Sequence, residues 1–277
     1  AMTPINKRRL ARFKKDKRAV YSFWLFIVLF TASLFSELIA NDKPLLVRYD
    51  KQWYSPFLVS YSETEFGGDF ETEADYRDPF VQDLINTKGW ILWPVIRFDY
   101  STINYDLPTP APSPPAPSPP DRVNWLGTDD NGRDVVARIL YGFRISCLFG
   151  FTLTLISAVI GVAAGAVQGF YGGKIDLIGQ RFIEIWSGLP VLFLLIILTS
   201  FITPNFWWLL GIMLMFSWMG LVDVVRAEFL RARNLEYVRA ARALGLNNKG
   251  IMFNHMLPNA MVATLTFMPF ILTGSIT

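Results

Sequence analysis

The chain has 277 residues, of which 52% are hydrophobic and only 18% are charged, against about 25% charged in an ordinary soluble domain. The charge is missing in blocks: residues 19–36, 145–173, 185–222 and 250–277 contain no Asp, Glu, Lys or Arg. A bilayer-spanning helix needs about 20 apolar residues, so these blocks are candidate spans and a soluble globular enzyme is excluded. The formal net charge of +3 comes from basic residues beside apolar runs, a pattern of membrane topology rather than of nucleic-acid binding. One cysteine, Cys147, allows no intrachain disulfide.

Residues 1–18 form a basic terminus, with Lys7, Arg8, Arg9, Arg12, Lys14, Lys15, Lys17 and Arg18 against Asp16 alone. That bias places the N-terminus in the cytoplasm. Residues 19–40 are predicted as the first transmembrane helix, an uncleaved anchor. Residues 41–107 are then external, and 40–124 hold 7 Lys/Arg and 13 Asp/Glu. The run Gly89-Trp-Ile-Leu-Trp-Pro-Val-Ile-Arg-Phe98 reads as a strand with Pro94 at a bend or edge. An insert this small, without a disulfide, is expected to lean on the membrane domain or on a partner. Residues 108–120 contain eight prolines in thirteen positions and read as a stiff polyproline-II spacer.

The membrane domain is expected over 121–277. It opens with Asn124-Trp-Leu-Gly-Thr-Asp-Asp-Asn-Gly-Arg-Asp134, where Asp129 to Gly132 is turn chemistry and Asp134 is a helix N-cap. The acidic spacing lacks the closing Glu of a calcium loop, so no metal site is expected. Val135, Ile139 and Phe143 share one face, which suggests an interfacial helix before the second span. Gly161, Gly165 and Gly169 share one helical face, where another helix can approach closely. Residues 185–222 fit two spans joined by a turn at 202–205, with Phe206, Trp207 and Trp208 as interfacial aromatics. Thr152, Thr154, Ser157 and Ser217 are polar or small candidates for lining a pathway. A fifth span begins near Asn259 and is still apolar at Thr277, so a longer natural chain is expected.

Residues 226–258 are expected in the cytoplasm, since 226–249 carry 6 Lys/Arg and 2 Asp/Glu. Asn234 is predicted to cap a helix with Glu236 in its first turn. Ala240, Ala241 and Ala243 give it a small surface, and Gly245 is placed as the left-handed residue that ends it. A second short helix, about 248–256, is expected to stop before Pro258. A compact helical knob between two spans suits a lever, since its displacement would tilt both.

Two enzymatic alternatives fail on the residues. Gly169-Phe-Tyr-Gly-Gly-Lys174 has the wrong spacing for a P-loop, so ATP hydrolysis is not expected on this chain. Glu37, Glu184 and Asp223 are assigned to span ends, where solvation at the interface explains them without intramembrane catalysis. His255 is read as a packing or capping residue.

Glu236, Ala240-Ala241, Gly245 and Leu257-Pro258, in that order and spacing, resemble the EAA loop of binding-protein-dependent ABC importer permeases. His255 and Asn259 resemble the dipeptide/oligopeptide branch, as does the run Gly127, Thr128 and Asp129 with Gly132, Arg133 and Asp134 before the second span. The insert 41–120 is atypical of that branch, but with Leu38-Ile-Ala-Asn-Asp-Lys-Pro-Leu-Leu-Val-Arg-Tyr49 it resembles the Yej-type permeases associated with microcin C and peptide uptake. The resemblance implies an all-α polytopic membrane protein of the ABC importer type I permease fold, with an inserted periplasmic α+β segment. It further implies a multi-pass subunit of the bacterial inner membrane, six spans in the full family fold, and no cofactor on this chain. The implied partners are a second permease in a heterodimer, ATPase subunits carrying ATP and Mg, a periplasmic solute-binding protein and a peptide substrate. A non-transporting membrane scaffold, or a permease for another small solute such as a metal chelate, is the alternative left open.

Overall fold

The computed structural model describes residues 4–107 and 124–276; the proline-rich segment 108–120 lies outside the described residues. The chain divides into two compact units, Ala1–Ile145 and Ser146–Thr277.

In the first unit, α1 (Pro4–Lys15) and α2 (Lys17–Leu34) meet at Asp16, whose carboxylate accepts from the Arg18 and Ala19 N–H groups at 3.1 and 3.3 Å. This cap starts the first apolar helix two residues before the charge-free block. A single helical turn follows, α3 (Ser36–Ile39).

The insert is built on a three-stranded antiparallel sheet ordered β2-β1-β3, with β1 at Leu46–Tyr49, β2 at Gln52–Tyr54 and β3 at Gly89–Leu92. Asp50 (φ 45°) and Lys51 (φ 66°) form the two-residue turn between β1 and β2, the geometry whose twist matches paired strands. Helix α4 (Pro79–Lys88), capped by Asp78, packs Val81 and Ile85 under the sheet. Phe66 is fully buried, with the Tyr49, Tyr54 and Tyr76 rings edge-on to it at 5.7, 5.1 and 5.7 Å. Aromatics thus supply a core that so few residues could not otherwise assemble. The insert also leans on its neighbours. Ile96 N–H donates to the Ile39 carbonyl (2.9 Å), and Tyr141 Oη donates to the Ala40 carbonyl (2.9 Å). Arg144 grips both carboxylate oxygens of Glu37 at 2.7 and 2.9 Å.

Helix α5 (Val135–Tyr171) is continuous over 37 residues, about 55 Å at 1.5 Å per residue. The expected separate interfacial helix at 135–145 is therefore corrected: no proline interrupts this stretch, and the span simply extends beyond the roughly 30 Å hydrocarbon layer. Next come α6 (Gly173–Ser187) and α7 (Val191–Thr199), bent by 58° at the Gly188–Pro190 break. Asn205 caps α8 (Phe206–Ser217) through the Trp208 N–H at 2.8 Å, and α9 (Met219–Ala232) continues from it. After α10 (Glu236–Ala243) and α11 (Asn248–Gly250), a π-helical turn (Ile251–Met256) leads into α12 (Leu257–Ile276). Among the described residues four helices are long and apolar enough to cross a membrane, or five if the bent α6–α7 pair is one span.

Candidate functional site

Three constellations carry the residues singled out above. The first is the turn before α5, where Asp129 acts as a hub. Its carboxylate accepts from the Asn131 and Arg133 backbone N–H groups (both 2.9 Å), from Arg133 Nε (2.9 Å) and from Arg138. Burial raises the Asp129 pKa, but these hydrogen bonds and the Arg133 charge outweigh it and leave it lowered. Gly127 (φ 79°) and Gly132 (φ 78°) take the left-handed conformations the turn needs. Buried Asp134 caps α5 through the Ala137 N–H (2.8 Å) and accepts from Asn124 Nδ2 (2.9 Å). Thr128 is buried beside them, its hydroxyl without a hydrogen-bond partner among the described residues. Every arginine and carboxylate of this signature is spent on the turn itself, which makes it a device for launching α5.

The second is the seam between α5 and α9. A Cβ on Gly161 would lie 2.6 Å from the Trp218 carbonyl oxygen, on Gly165 2.7 Å from that of Val222, and on Gly169 2.7 Å from that of Arg226. Backbone meets backbone here, so only glycine fits. Ser157, fully buried, hydrogen-bonds Ser217 at the end of α8, next to this seam. The two hydroxyls satisfy each other between packed helices. Sequence reasoning also missed a polar link from α6 to α9. Arg226 holds Asp176 through a bidentate pair (Nη2 to Oδ2, 2.7 Å), and Gln180 Nε2 donates to Gln168 Oε1 (3.0 Å) and Asp223 Oδ1 (3.5 Å). Asp223 lies within α9. The charges at the block edges were the available signal, but nothing local pairs residues 50 apart.

The third is the loop between α9 and α12. Helix α10 is capped by Leu235, not Asn234: Leu235 holds the extended cap conformation (φ −76°, ψ 153°), and its carbonyl accepts from Val238 and Arg239 at 3.1 and 3.2 Å. Asn234 is still in the turn that leaves α9. Glu236 lies exposed in the first turn, where a negative charge complements the helix dipole. Val238 and Ala241 point inward, into a core with Phe170, Val225, Phe229, Ile251 and Met256. The Arg242 guanidinium lies over the Phe170 ring at 5.7 Å. Ala240 faces out.

The helix ends in a full Schellman motif. Leu246 N–H donates to the Ala241 carbonyl (3.2 Å) and Gly245 N–H to that of Arg242 (3.0 Å), with Gly245 at φ +77°. Leu244 is left 82% exposed. Asn247 then caps α11 through the Gly250 N–H at 2.7 Å.

The chain does not stop before Pro258, as expected from sequence; the π-turn carries it through. Leu257 N–H donates to the Met252 carbonyl five residues back. Widening the helix removes the clash between the proline ring and a carbonyl one turn earlier. Half-buried His255 contributes through its carbonyl, which accepts from Asn259 Nδ2 at 3.0 Å. Among the described residues no cluster of three or more His, Cys, Asp or Glu could hold a metal.

Comparison with known proteins fits this arrangement. The model of the binding-protein-dependent transport system inner membrane component matches residues 157–277, and that of the N-terminal transmembrane domain of oligopeptide transport permease C matches residues 7–64. The inner membrane ABC transporter permease protein YejE of Escherichia coli K12 is 61% identical over 276 residues, covering 100% of this chain and 80% of the relative. The chain is a member of this permease family. The peptidoglycan transport system permease protein YejE of Agrobacterium fabrum is 54% identical, covering 99% of this chain and 77% of the relative. The dipeptide transport system permease protein DppC of Bacillus subtilis is 37% identical over 57% of this chain and 49% of its own length. The permease is thus a multi-pass inner-membrane transport component of the ABC type rather than an enzyme, and ATP hydrolysis belongs to partner subunits.

Proposed function

We propose that this permease takes up peptides, including peptide antibiotics such as microcin C, by ATP-driven alternating access. It pairs with a second permease as a heterodimer, with two cytoplasmic ATPase subunits that carry ATP and Mg, and with an external solute-binding protein. The N-terminus and 226–258 then face the cytoplasm and the sheet-based insert faces the periplasm. The observation that carries the reading is the geometry of α10. One face is locked into the core through Val238 and Ala241, while Leu244 projects 82% exposed at the Schellman turn. An ATPase socket closing on that knob moves α9 and α12 together, because both contribute to the same core. The relatives named for dipeptide, oligopeptide and peptidoglycan transport support a peptide-bonded substrate over a metal chelate.

The test is uptake of a labelled oligopeptide into proteoliposomes holding the permease, its partner permease, the ATPase pair and the binding protein. Uptake is expected to require ATP and to vanish when this chain is omitted. Cells lacking the chain are expected to tolerate at least about tenfold more microcin C. ATP-independent uptake, or uptake indifferent to this chain, would contradict the proposal.

A further inference from the structure

The insert contains a cleft of about 670 Å³ lined in part by two arginines, Arg77 and Arg97. Its surroundings make that unusual, since residues 40–124 hold 13 acidic and 7 basic residues. Yet neither arginine is in an ion pair among the described residues. Each is held by an aromatic ring instead. Arg77 lies over Phe98 at 4.6 Å and Arg97 over Trp93 at 5.3 Å, an arrangement that fixes the plane of a guanidinium while leaving its edge donors available.

Arg77 is also pinned through its backbone. Gln82 Nε2 donates to the carbonyls of Tyr76 and Arg77 at 3.0 and 3.3 Å, and Arg77 Nη1 donates to the Ile103 carbonyl at 3.4 Å. Asn104 is buried in the same wall, with its amide committed to Asn124 Oδ1 (2.8 Å) and its carbonyl oxygen to the Asp106 N–H (3.0 Å). Among the described residues Asp106 is the one acidic residue lining the cleft, against two arginines.

We propose that this cleft binds the C-terminal carboxylate of a short peptide, with the terminal side chain against Trp93. Positioned guanidiniums match a carboxylate through paired N–H donors. The volume suits a ligand of a few residues rather than a protein surface. The cleft would be a site on the permease itself that selects peptides with a free C-terminus. This inference rests on the peptide reading above.

The experiment is equilibrium binding of tritiated Ala-Leu-Phe, and of its C-terminal amide, to the assembled complex in lipid nanodiscs without the binding protein. The acid is expected to bind at least about tenfold more tightly than the amide, as loss of one charge-assisted contact implies. Arg77→Gln and Arg97→Gln are each expected to weaken acid binding about tenfold and leave amide binding unchanged. Arg97→Lys is expected to lie between, and Arg48→Gln, on the sheet, to change neither. Arg97 is exposed, so its variants test the cleft even where Arg77→Gln fails to assemble. Equal binding of acid and amide, or unchanged acid binding in both glutamine variants, would overturn the proposal. Uptake of the same peptide by the wild-type complex is measured in parallel: failed uptake with intact binding refutes the transport reading and leaves the cleft standing.

Discussion

Replacing Gly165 with leucine is expected to eliminate the folded, assembled permease. A Cβ at this position would lie 2.7 Å from the Val222 carbonyl oxygen, 2.9 Å from Val225 Cβ and 3.1 Å from Arg226 N. Two of these three atoms are backbone, so relief requires α5 and α9 to separate rather than a side chain to turn. Overpacking a core typically costs about 1–3 kcal/mol where neighbours can yield; here Gly161 and Gly169 bind the helices on either side, and the cost is expected to exceed that range. The measurement is the yield of monodisperse complex after detergent extraction, with Gly142→Leu as the control. Gly142 is on the same helix, but nothing lies within 4 Å of its Cβ position, so its yield is expected to match wild type. Normal yield of the Gly165 variant would refute the seam.

Replacing Gly245 with valine is expected to leave assembly intact and separate ATP hydrolysis from uptake. No atom lies within 4 Å of a Cβ on Gly245, so the cost is conformational rather than steric crowding by neighbours. A β-branched residue at φ +77° is strained by about 1–3 kcal/mol. Relief undoes the Schellman hydrogen bonds and swings Leu244 away from its position. Uptake is expected to fall at least about tenfold while ATPase activity persists without stimulation by substrate. Gly245→Asn, which tolerates the left-handed region, is expected to restore most coupling. Parallel ATPase and uptake assays decide it: uptake with normal substrate dependence in the valine variant would sink the lever.

These two glycine roles were legible in the sequence for different reasons. Four-residue spacing marked Gly161, Gly165 and Gly169 as one face, and the position of Gly245 after Leu244 marked a helix end. Both are local signals that need no knowledge of the partner. Asn234 misled because residue type alone favours asparagine over leucine as a cap, whereas the turn leaving α9 had already claimed it. Pro258 misled because its usual effect is to end a helix, and the π-turn that accommodates it leaves no compositional trace. The hydrogen bond between Ser157 and Ser217 was not legible either, because polarity in an apolar run does not name its partner. Asp176 pairs with Arg226, and Arg77 and Arg97 come to line one cleft, from positions far apart in sequence, so both arrangements emerge only from the fold. The insert core is intermediate. Aromatic richness announced a folded segment, but not that Phe66 would gather three tyrosines around it.

The central claim is that the exposed tip of the α10 turn is the surface on which the ATPase acts. A photoreactive benzoylphenylalanine at Leu244 tests it most directly, in the intact complex, with the same group at Arg48 as the control. The account predicts a cross-link from position 244 to an ATPase subunit whose yield changes when ATP is bound, and none from position 48. A position-244 probe that captures only lipid, or an ATPase cross-link equally strong from position 48, would contradict it.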